Sequence, residues 1–552
     1  MIKIFKYFLR IVKELLFLVG LWSPSKNQDF EETLKKFSII NQKFWNRKKS
    51  KEVNVLIEGH LSEYGPNYLY RTALAAKAIE EKTNGATIEI LVNGFSHEWE
   101  LSAEAYKSFG IDKWIYLGRK FLIIEPILVI LATFNAGISF LKLKDPKSIL
   151  DIKIDNIKVG DLIYDQVLRS IQKGTIEKID FNVYKTMIRS WHYFYQYKLL
   201  FFFKNYDYYI ATHTAYPEYG ILCRQALKNN IIVIETSDIQ MSIYDENTRN
   251  FVPTYHQGIN ASISNDIERS KIPLDKTYKT AREKLNKRFD NELDQIDSQK
   301  AFTGNVYDRE SLNKKINFGS NKKIGFVFTH IFVDSPHLSE SMLFPDYYVW
   351  LEKTLEYCSN TKDVTWIIKP HPSSALYGEK GMVEEMVSSV NSNNLFICPD
   401  DLNTKSIINC ADIILTVHGT AGLEFSCLGI PVILGGTPFY SGFGFAIEPK
   451  SIEEYEKIVI NANSISHLSE EKILKALQVF EAWERQFDWN NPIIDSRIQA
   501  RVWGSEVDRD IKIAYEILCE NLKENDPREL KLWDFVSSSI KISSDDKSNQ
   551  FP

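Results

Sequence analysis

Apolar positions along this chain follow two periods. Val53 to Ile57 and Ala86 to Val92 are dense in aliphatic and β-branched residues and predict buried strands, while Asn67 to Lys82 between them repeats apolar positions every 3.6 residues. Strand, loop, helix and strand make a βαβ unit, which implies a parallel sheet. The order recurs at Tyr208–Ala211, a loop with His213, a helix through Gly220 to Lys228, and Ile231–Glu235. Residues 239–320 are charged and poor in long apolar runs, and read as a helical excursion and interdomain linker. The pattern then restarts. Strands are predicted at Lys323–Phe328, Val364–Lys369, Asn394–Cys398, Ile413–Thr416 and Ile430–Leu434, with helices at Asp346–Cys358, Lys405–Cys410 and Gly422–Leu428. Residues 467–538 return to helical patterning and the tail from Ser539 frays. Two α/β sheets in tandem place a ligand in the cleft between them, at the C-terminal ends of their strands.

Two apolar segments raise the question of a membrane. In Met1–Trp22, Lys3, Lys6, Arg10, Lys13 and Glu14 fall within one arc of roughly 100° on a helix, and the rest of the circumference is apolar. That pattern predicts a helix lying in the membrane interface with its cations near lipid phosphates, the alternatives being an amphipathic helix docked on the protein itself and a true span. A cleaved signal peptide fits less well, because charges recur through Glu14 and no small-residue cleavage site precedes Ser23-Pro24. The second segment, Phe121–Leu141, is broken by Glu125-Pro126; the charge-free remainder is short of the roughly 20 residues of a span and predicts a buried helix, with membrane contact as the alternative, since Lys120, Lys142 and Lys144 flank it and are placed to snorkel.

The 552 residues are 44% hydrophobic and 25% charged, which excludes a disordered chain or one small module. Lys and Arg total 67 against 72 Asp and Glu, a net charge of -5, so there is no global field for nucleic acid. The six Cys are scattered, with no zinc spacing, which points to a reducing compartment and no structural metal.

Candidate chemistry follows the strands of the second half. In Trp366–Pro372, Pro370 and Pro372 stiffen a loop that presents Lys369 and His371, a point charge and a hydrogen-bonding ring suited to a phosphate or nucleotide. Ile413–Glu424 is a strand, a small-residue turn and a helix start; the amides of Gly419, Thr420 and Ala421 suit an anion, and Glu424 is placed to accept from ribose hydroxyls. In Ile430–Phe445, Gly435 and Gly436 permit close backbone approach, and Phe439, Tyr440 and Phe443 offer rings for a sugar or base.

The KPHP run from Lys369, the HGTAGLEFSCLGIPVI run from His418 and the PFYSGFGF run from Pro438 resemble the capsule polysaccharide biosynthesis family, which includes Kdo-transferring glycosyltransferases of the GT-B type; bacterial sialyltransferases share a similar His-Pro and Ser/Thr pair. The first half resembles it more faintly, at HTAYPEYGILCRQAL from His213. The resemblance implies an α/β, GT-B-like fold with two Rossmann-like domains facing a cleft. The division expected is a membrane-interface helix and linker over 1–42, an acceptor domain with helical insertions over 43–318, a nucleotide-sugar domain over 319–465, and C-terminal helices and tail over 466–552. It further implies that Lys369 and His371 contact the nucleotide, and Thr416, His418, Gly419 and Thr420 the phosphate. The Glu-Asp-Gly signature that some Kdo transferases carry in the first domain is missing.

Sugar transfer requires a base for the acceptor hydroxyl, or a carboxylate nucleophile, and a cation for the departing phosphate. The first half offers Glu58, His60 and Glu63, the Asp161/Asp165 pair, His213 and Asp238; of these Asp161, His213, Glu58 and His60 are the preferred catalytic candidates. His330, Asp334 and His337 follow the first strand of the second sheet and line the cleft from the other wall, too irregularly for a metal site. The expected activity is metal-independent transfer of a nucleotide-activated sugar, preferably a CMP-linked ulosonic acid such as Kdo, to a capsule or lipopolysaccharide glycan or glycolipid. No cofactor is expected beyond the donor substrate, and the location expected is the cytoplasmic face of the inner membrane, held by the N-terminal helix. A UDP-sugar 2-epimerase, a teichoic-type polyol-phosphate transferase and a non-catalytic polysaccharide assembly or export factor are the alternatives.

Overall fold

A computed structural model describes residues 2–24, 27–45, 53–237, 241–292, 300–319, 323–339, 341–486, 491–503 and 509–540. Asp238 lies outside these. The first sheet has six strands in the order β3-β2-β1-β6-β7-β8, from β1 (Asn54–Glu58), β2 (Thr87–Val92), β3 (Lys113–Tyr116), β6 (Tyr208–Ala211), β7 (Ile232–Thr236) and β8 (Met241–Tyr244). A short hairpin, β4 (Lys153–Ile154) and β5 (Ile157–Lys158), stands apart. All pairings in the first sheet are parallel except β7 with β8. The second sheet is wholly parallel, in the order β11-β10-β9-β12-β13: β9 (Lys323–Phe328), β10 (Val364–Lys369), β11 (Leu395–Ile397), β12 (Ile413–Thr416) and β13 (Val432–Leu434). Both run outward from a central first strand in one direction and then the other, the doubly wound order of a Rossmann-like domain. The chain therefore has the α/β, GT-B-like architecture of two such sheets.

Helices α1 (Ile2–Leu18), α2 (Gln28–Asn41), α3 (Pro66–Lys82), α4 (Glu125–Phe140), α5 (Gly160–Ile171) and α6 (Phe181–Phe203) accompany the first sheet. Helices α7 (Tyr255–Arg269) and α8 (Leu274–Phe289) lie in the stretch read as linker, yet Ile259, Ile263, Leu285 and Phe289 share a core with Ile324, Phe326 and Ile414 of the second sheet. Around that sheet lie α9 (Tyr347–Ser359), α10 (Ala421–Ser426) and α11 (Glu470–Gln486). The chain then returns: Tyr515 and Leu518 of α12 (Ile511–Glu524) and Val536 of α13 (Lys531–Ser539) pack with Val55 and Ile57 of β1. The last helices thus tie the chain's end to the first sheet.

The units also meet through side chains. Asp346 caps α9 by accepting from the Val349 amide at 2.8 Å, while its other oxygen accepts from the Tyr164 and Thr175 hydroxyls at 2.7 and 2.6 Å. Asp165 holds His337 Nδ1 at 2.5 Å. Burial by itself would lower the His337 pKa, but the Asp165 charge and hydrogen bond raise it above the ordinary range. Asp161 is buried and receives both Nη atoms of Arg224, at 2.7 and 2.6 Å. Burial alone would raise its pKa; Arg224 holds it well below the usual carboxylate range. The assignment of Asp161 to catalysis is therefore corrected: both its oxygens are committed to a buried ion pair joining α5 to the helix Ile221–Lys228. Breaking one side of such a pair strands a charge, so Arg224→Met is expected to cost about 3–5 kcal/mol, measured by urea unfolding. Arg224→Met paired with Asp161→Leu is expected to recover most of it.

The two apolar segments pack differently. On α1, Arg10 and Lys13 are exposed, Arg10 pairing with Glu98 at 2.6 Å, and buried Glu14 accepts from the Ser96 hydroxyl at 2.5 Å and meets His97 Nδ1 at 2.9 Å. Leu15 and Leu18 face outward. Helix α4, expected to be buried, buries only Leu128, Ala132 and Ala136 and exposes Ile127, Ile130 and Phe134. Its apolar density exceeds what α6 alone covers. Among the described residues no helix is long and apolar enough to cross a membrane.

Candidate functional site

In each sheet the strand order reverses beside the first strand, between β1 and β6 and between β9 and β12. A doubly wound sheet opens a crevice there, at the carboxyl ends of the strands. Many of the residues singled out in the sequence line one or the other of these crevices.

At the second crevice a cavity of about 370 Å³ is lined by Lys369 and His371 from the end of β10, His330 and Asp334 after β9, and Thr416, His418, Gly419, Thr420 and Glu424 after β12. The turns after β10 and β12 thus meet across β9. His330 ties them together: its Nε2 accepts from the amides of Val417 and His418 at 3.3 and 3.2 Å and lies 3.3 Å from Thr416 Oγ1. That ring must be neutral with its proton on Nδ1, in keeping with a pKa that burial pushes down to about 3. The His371 amide donates to Thr329 Oγ1 at 3.1 Å, fixing the Pro-His-Pro loop. Burial, then the charge of Lys369, lowers the His371 pKa to about 4. Burial brings His256 to about 3 and His418 well below its ordinary value. The wall is therefore one of neutral imidazoles, which accept and donate hydrogen bonds but carry no charge.

Lys369 forms no ion pair with any described residue. Arg288 of α8 also lines the cavity, but its Nε meets Glu424 at 2.6 Å, and both side chains are buried. This corrects the reading of Glu424 as a ribose acceptor: its carboxylate holds Arg288 in the wall. Thr416 is fully buried and its hydroxyl accepts from the Gly419 amide at 3.3 Å, so it shapes the turn. The amides of Thr420 and Ala421 stay open to a ligand. His418 lies 2.9 Å from the Tyr347 hydroxyl through Nδ1, and its Nε2 has no partner.

Two of the three rings offered for a sugar or base, Phe439 and Tyr440, are corrected as well. Phe439 and Tyr440 are buried; Phe439 stacks on Trp483 at 5.2 Å, and the Tyr440 hydroxyl donates to the Gly419 carbonyl at 2.7 Å. They brace the turn from behind. The neighbouring glycines serve this packing: a Cβ at Gly435 would lie 2.4 Å from Trp350 Nε1, one at Gly436 2.7 Å from His418 Nε2, and one at Gly422 2.0 Å from the Tyr440 hydroxyl.

At the first crevice, Glu58 ends β1 and its Oε2 accepts from the Thr212 amide and hydroxyl at 2.8 and 2.9 Å. Its Oε1 is 3.5 Å from His60 Nε2. Burial raises the Glu58 pKa to about 8, against the lowering effect of Thr212, and lowers His60 to about 3. Both line a cavity of about 240 Å³ with Asn93, Trp99, Tyr197, Glu218 and Tyr219. Glu63 is exposed nearby and lines neither cavity. His213 follows β6 and meets the Tyr219 ring edge to face at 4.2 Å; burial, then Arg169, lowers its pKa to about 4. Arg169 bonds the Tyr216 hydroxyl at 2.6 Å, which in turn hydrogen-bonds Ser335 beside Asp334 of the second cavity. Tyr216 at φ 59 opens a single π-turn, Tyr216–Gly220, a strained form that recurs at functional sites. His213 touches the rings of Tyr216 and Tyr219 and lines neither cavity. Sequence reasoning passed over Glu218, Arg169 and Arg288; only Glu218 had a signal, lying after a strand like the residues that were chosen.

A third hollow, of about 470 Å³, is lined by Lys158, Asp161, Arg249 and His337, and of the preferred candidates only Asp161 reaches it. Among the described residues no three His, Cys, Asp or Glu are grouped to hold a metal ion.

Residues 250–479 match the model of the family described as capsule polysaccharide biosynthesis protein. Among solved structures, the chain is similar to a β-Kdo 2,4-transferase, KpsC of Thermosulfurimonas dismutans, with 15% identity over 50% of this chain and 78% of that one and a TM-score of 0.32. It is similar to a UDP-GlcNAc 2-epimerase from Neisseria meningitidis bound to UDP-GlcNAc, with 12% identity over 86% and 100% of the two chains and a TM-score of 0.19. Anabaena Alr3699/HepE in complex with UDP-glucose gives 10% identity, 86% and 100% coverage, and a TM-score of 0.26. No curated protein matches the chain.

Proposed function

With residues 250–479 a capsule polysaccharide biosynthesis segment, we propose that this chain is a GT-B glycosyltransferase that moves a sugar from a nucleotide donor to a capsule or lipopolysaccharide glycan or glycolipid at the inner membrane surface. The observation that carries the reading is the gathering of Lys369, His371, Gly419 and Thr420 on one cavity of about 370 Å³ at a switch point, within the usual size of a small-molecule site. The charge of that cavity supports a CMP-linked ulosonic acid as donor. Among the described residues that line it, Lys369 is the cation without an ion pair, since Arg288 is neutralised by Glu424, and one cation matches the single phosphate of a CMP-sugar better than a diphosphate.

Transfer balances without a cofactor. The acceptor hydroxyl gives its proton to Glu58, its oxygen bonds to the anomeric carbon, and the bond from that carbon to the phosphate oxygen breaks with its electron pair leaving on CMP. Lys369 and the amides of Thr420 and Ala421 offset the charge that develops on the phosphate. His60, unprotonated at neutral pH, hydrogen-bonds the acceptor beside Glu58.

A thermal-shift panel of CMP, CDP, UDP and GDP tests the donor. CMP is expected to raise the melting temperature most. A larger shift with UDP contradicts the CMP donor and favours an epimerase or UDP-sugar transferase, and no shift with any of the four favours a non-catalytic assembly factor.

A further inference from the structure

Helix α4 turns an apolar face away from the protein. At 3.6 residues per turn, Ile123, Ile127, Ile130, Leu131, Phe134, Ile138 and Leu141 fall within an arc of about 100°, opposite the buried Leu128, Ala132 and Ala136. Ile123 is 94% exposed and Leu141 85%. The antiparallel partner α6 extends the patch at both ends. Phe181 lies beside Tyr184, which packs on Phe140, and Phe202, 79% exposed, and Phe203 end the helix at the other side. Contiguous apolar surface on this scale marks an interaction site.

The polar groups of the face are arranged for a medium without water. Thr133 Oγ1 donates to the Val129 carbonyl at 2.8 Å and Asn135 Nδ2 to the Leu131 carbonyl at 2.9 Å, so both are satisfied within the helix. Glu125, the acid at its start, turns inward and meets His192 Nε2 at 2.8 Å. The margin is cationic although the chain carries a net charge of -5. Arg119 and Lys120 precede α4, and Lys142, Lys144 and Lys147 follow it; all are exposed, and the last three form no ion pair with a described residue. Lysine stems of this kind lie along an apolar surface while their heads reach anionic phosphates. Helix α1 sits on Phe95–Glu98, and Gly94 in the same turn accepts from the Gly118 amide at 3.0 Å, in the segment that leads to α4. The 16 residues of α4 rise about 24 Å, less than a hydrocarbon core, so the helix lies on a bilayer rather than through it.

We propose that the outward face of α4, with Phe181, Phe202 and Phe203 of α6, docks on an anionic phospholipid bilayer. This makes α4, not α1 alone, the principal membrane contact. The full chain is mixed with vesicles of phosphatidylcholine containing about one third phosphatidylglycerol, and with phosphatidylcholine alone, and bound protein is measured by sedimentation. Wild type is expected to pellet with the anionic vesicles. Ile130→Glu with Phe134→Glu is expected to weaken this at least tenfold, and Lys142→Glu with Lys144→Glu to weaken it on anionic vesicles only. Both pairs lie on the surface, so melting temperature and the CMP shift are expected to match wild type; loss of the CMP shift in wild type would bear on the donor assignment and not on docking. Unchanged pelleting of the Ile130/Phe134 variant overturns the proposal, as does a wild-type dimer that does not pellet and that this variant converts to monomer.

Discussion

Glu58→Gln is expected to lower kcat by about two to four orders of magnitude while leaving donor binding intact. The carboxylate ends β1 inside the 240 Å³ cavity, and burial poises it at about 8, near the pH at which a base must work. Glutamine still accepts from Thr212, so the crevice keeps its shape. The wild-type rate is expected to rise with pH toward about 8 as Glu58 loses its proton, and this limb is absent from the Gln variant. Stability carries the opposite sign. The folded chain keeps a proton on Glu58 that the unfolded chain releases near the ordinary carboxyl value of 4.5, so this site's contribution is full at low pH and is lost as pH rises from about 4.5 through about 8. Urea midpoints at pH 5 and 8.5 should therefore fall further for wild type than for Glu58→Gln. A Gln variant within threefold of wild-type kcat contradicts the assignment.

Lys369→Ala is expected to lower kcat/KM by about 10²–10³, the scale of removing one preorganised group from a developing anion. Its neighbours cannot replace it, because His330, His371 and His418 are held neutral by burial and Arg288 is spent on Glu424. A second readout does not depend on turnover. The charge of Lys369 helps lower the His371 pKa, so the variant's His371 is expected to titrate above its wild-type value of about 4 by NMR. An unmoved His371 together with wild-type kcat/KM removes Lys369 from the site.

The strands were legible because most are buried on both faces and so appear as continuous apolar runs; Lys323–Phe328, Val364–Lys369 and Ile413–Thr416 were read to the residue. The edge strands of the first sheet were not. Lys113–Tyr116 is partly exposed, and Met241–Tyr244 lies antiparallel in a polar stretch, so neither has a run to detect. The lining of the two cavities was legible where a polar side chain closely follows a strand, as at Glu58, His330, Lys369 and Thr420. Side-chain direction was not: the carboxylates of Asp161 and Glu424 meet arginines 63 and 136 residues away, and Phe439 and Tyr440 turn to the core rather than the crevice. Apolar density also misled at α4, since sequence records that a face is greasy and not what covers it.

Hydrogen exchange of the full chain with and without CMP locates the nucleotide most directly. Slowed exchange confined to residues 369–372 and 416–422 is the expected result. Slowed exchange over 249–257 and 337–344, around the 470 Å³ hollow, with the β10 and β12 turns unaffected, would contradict it.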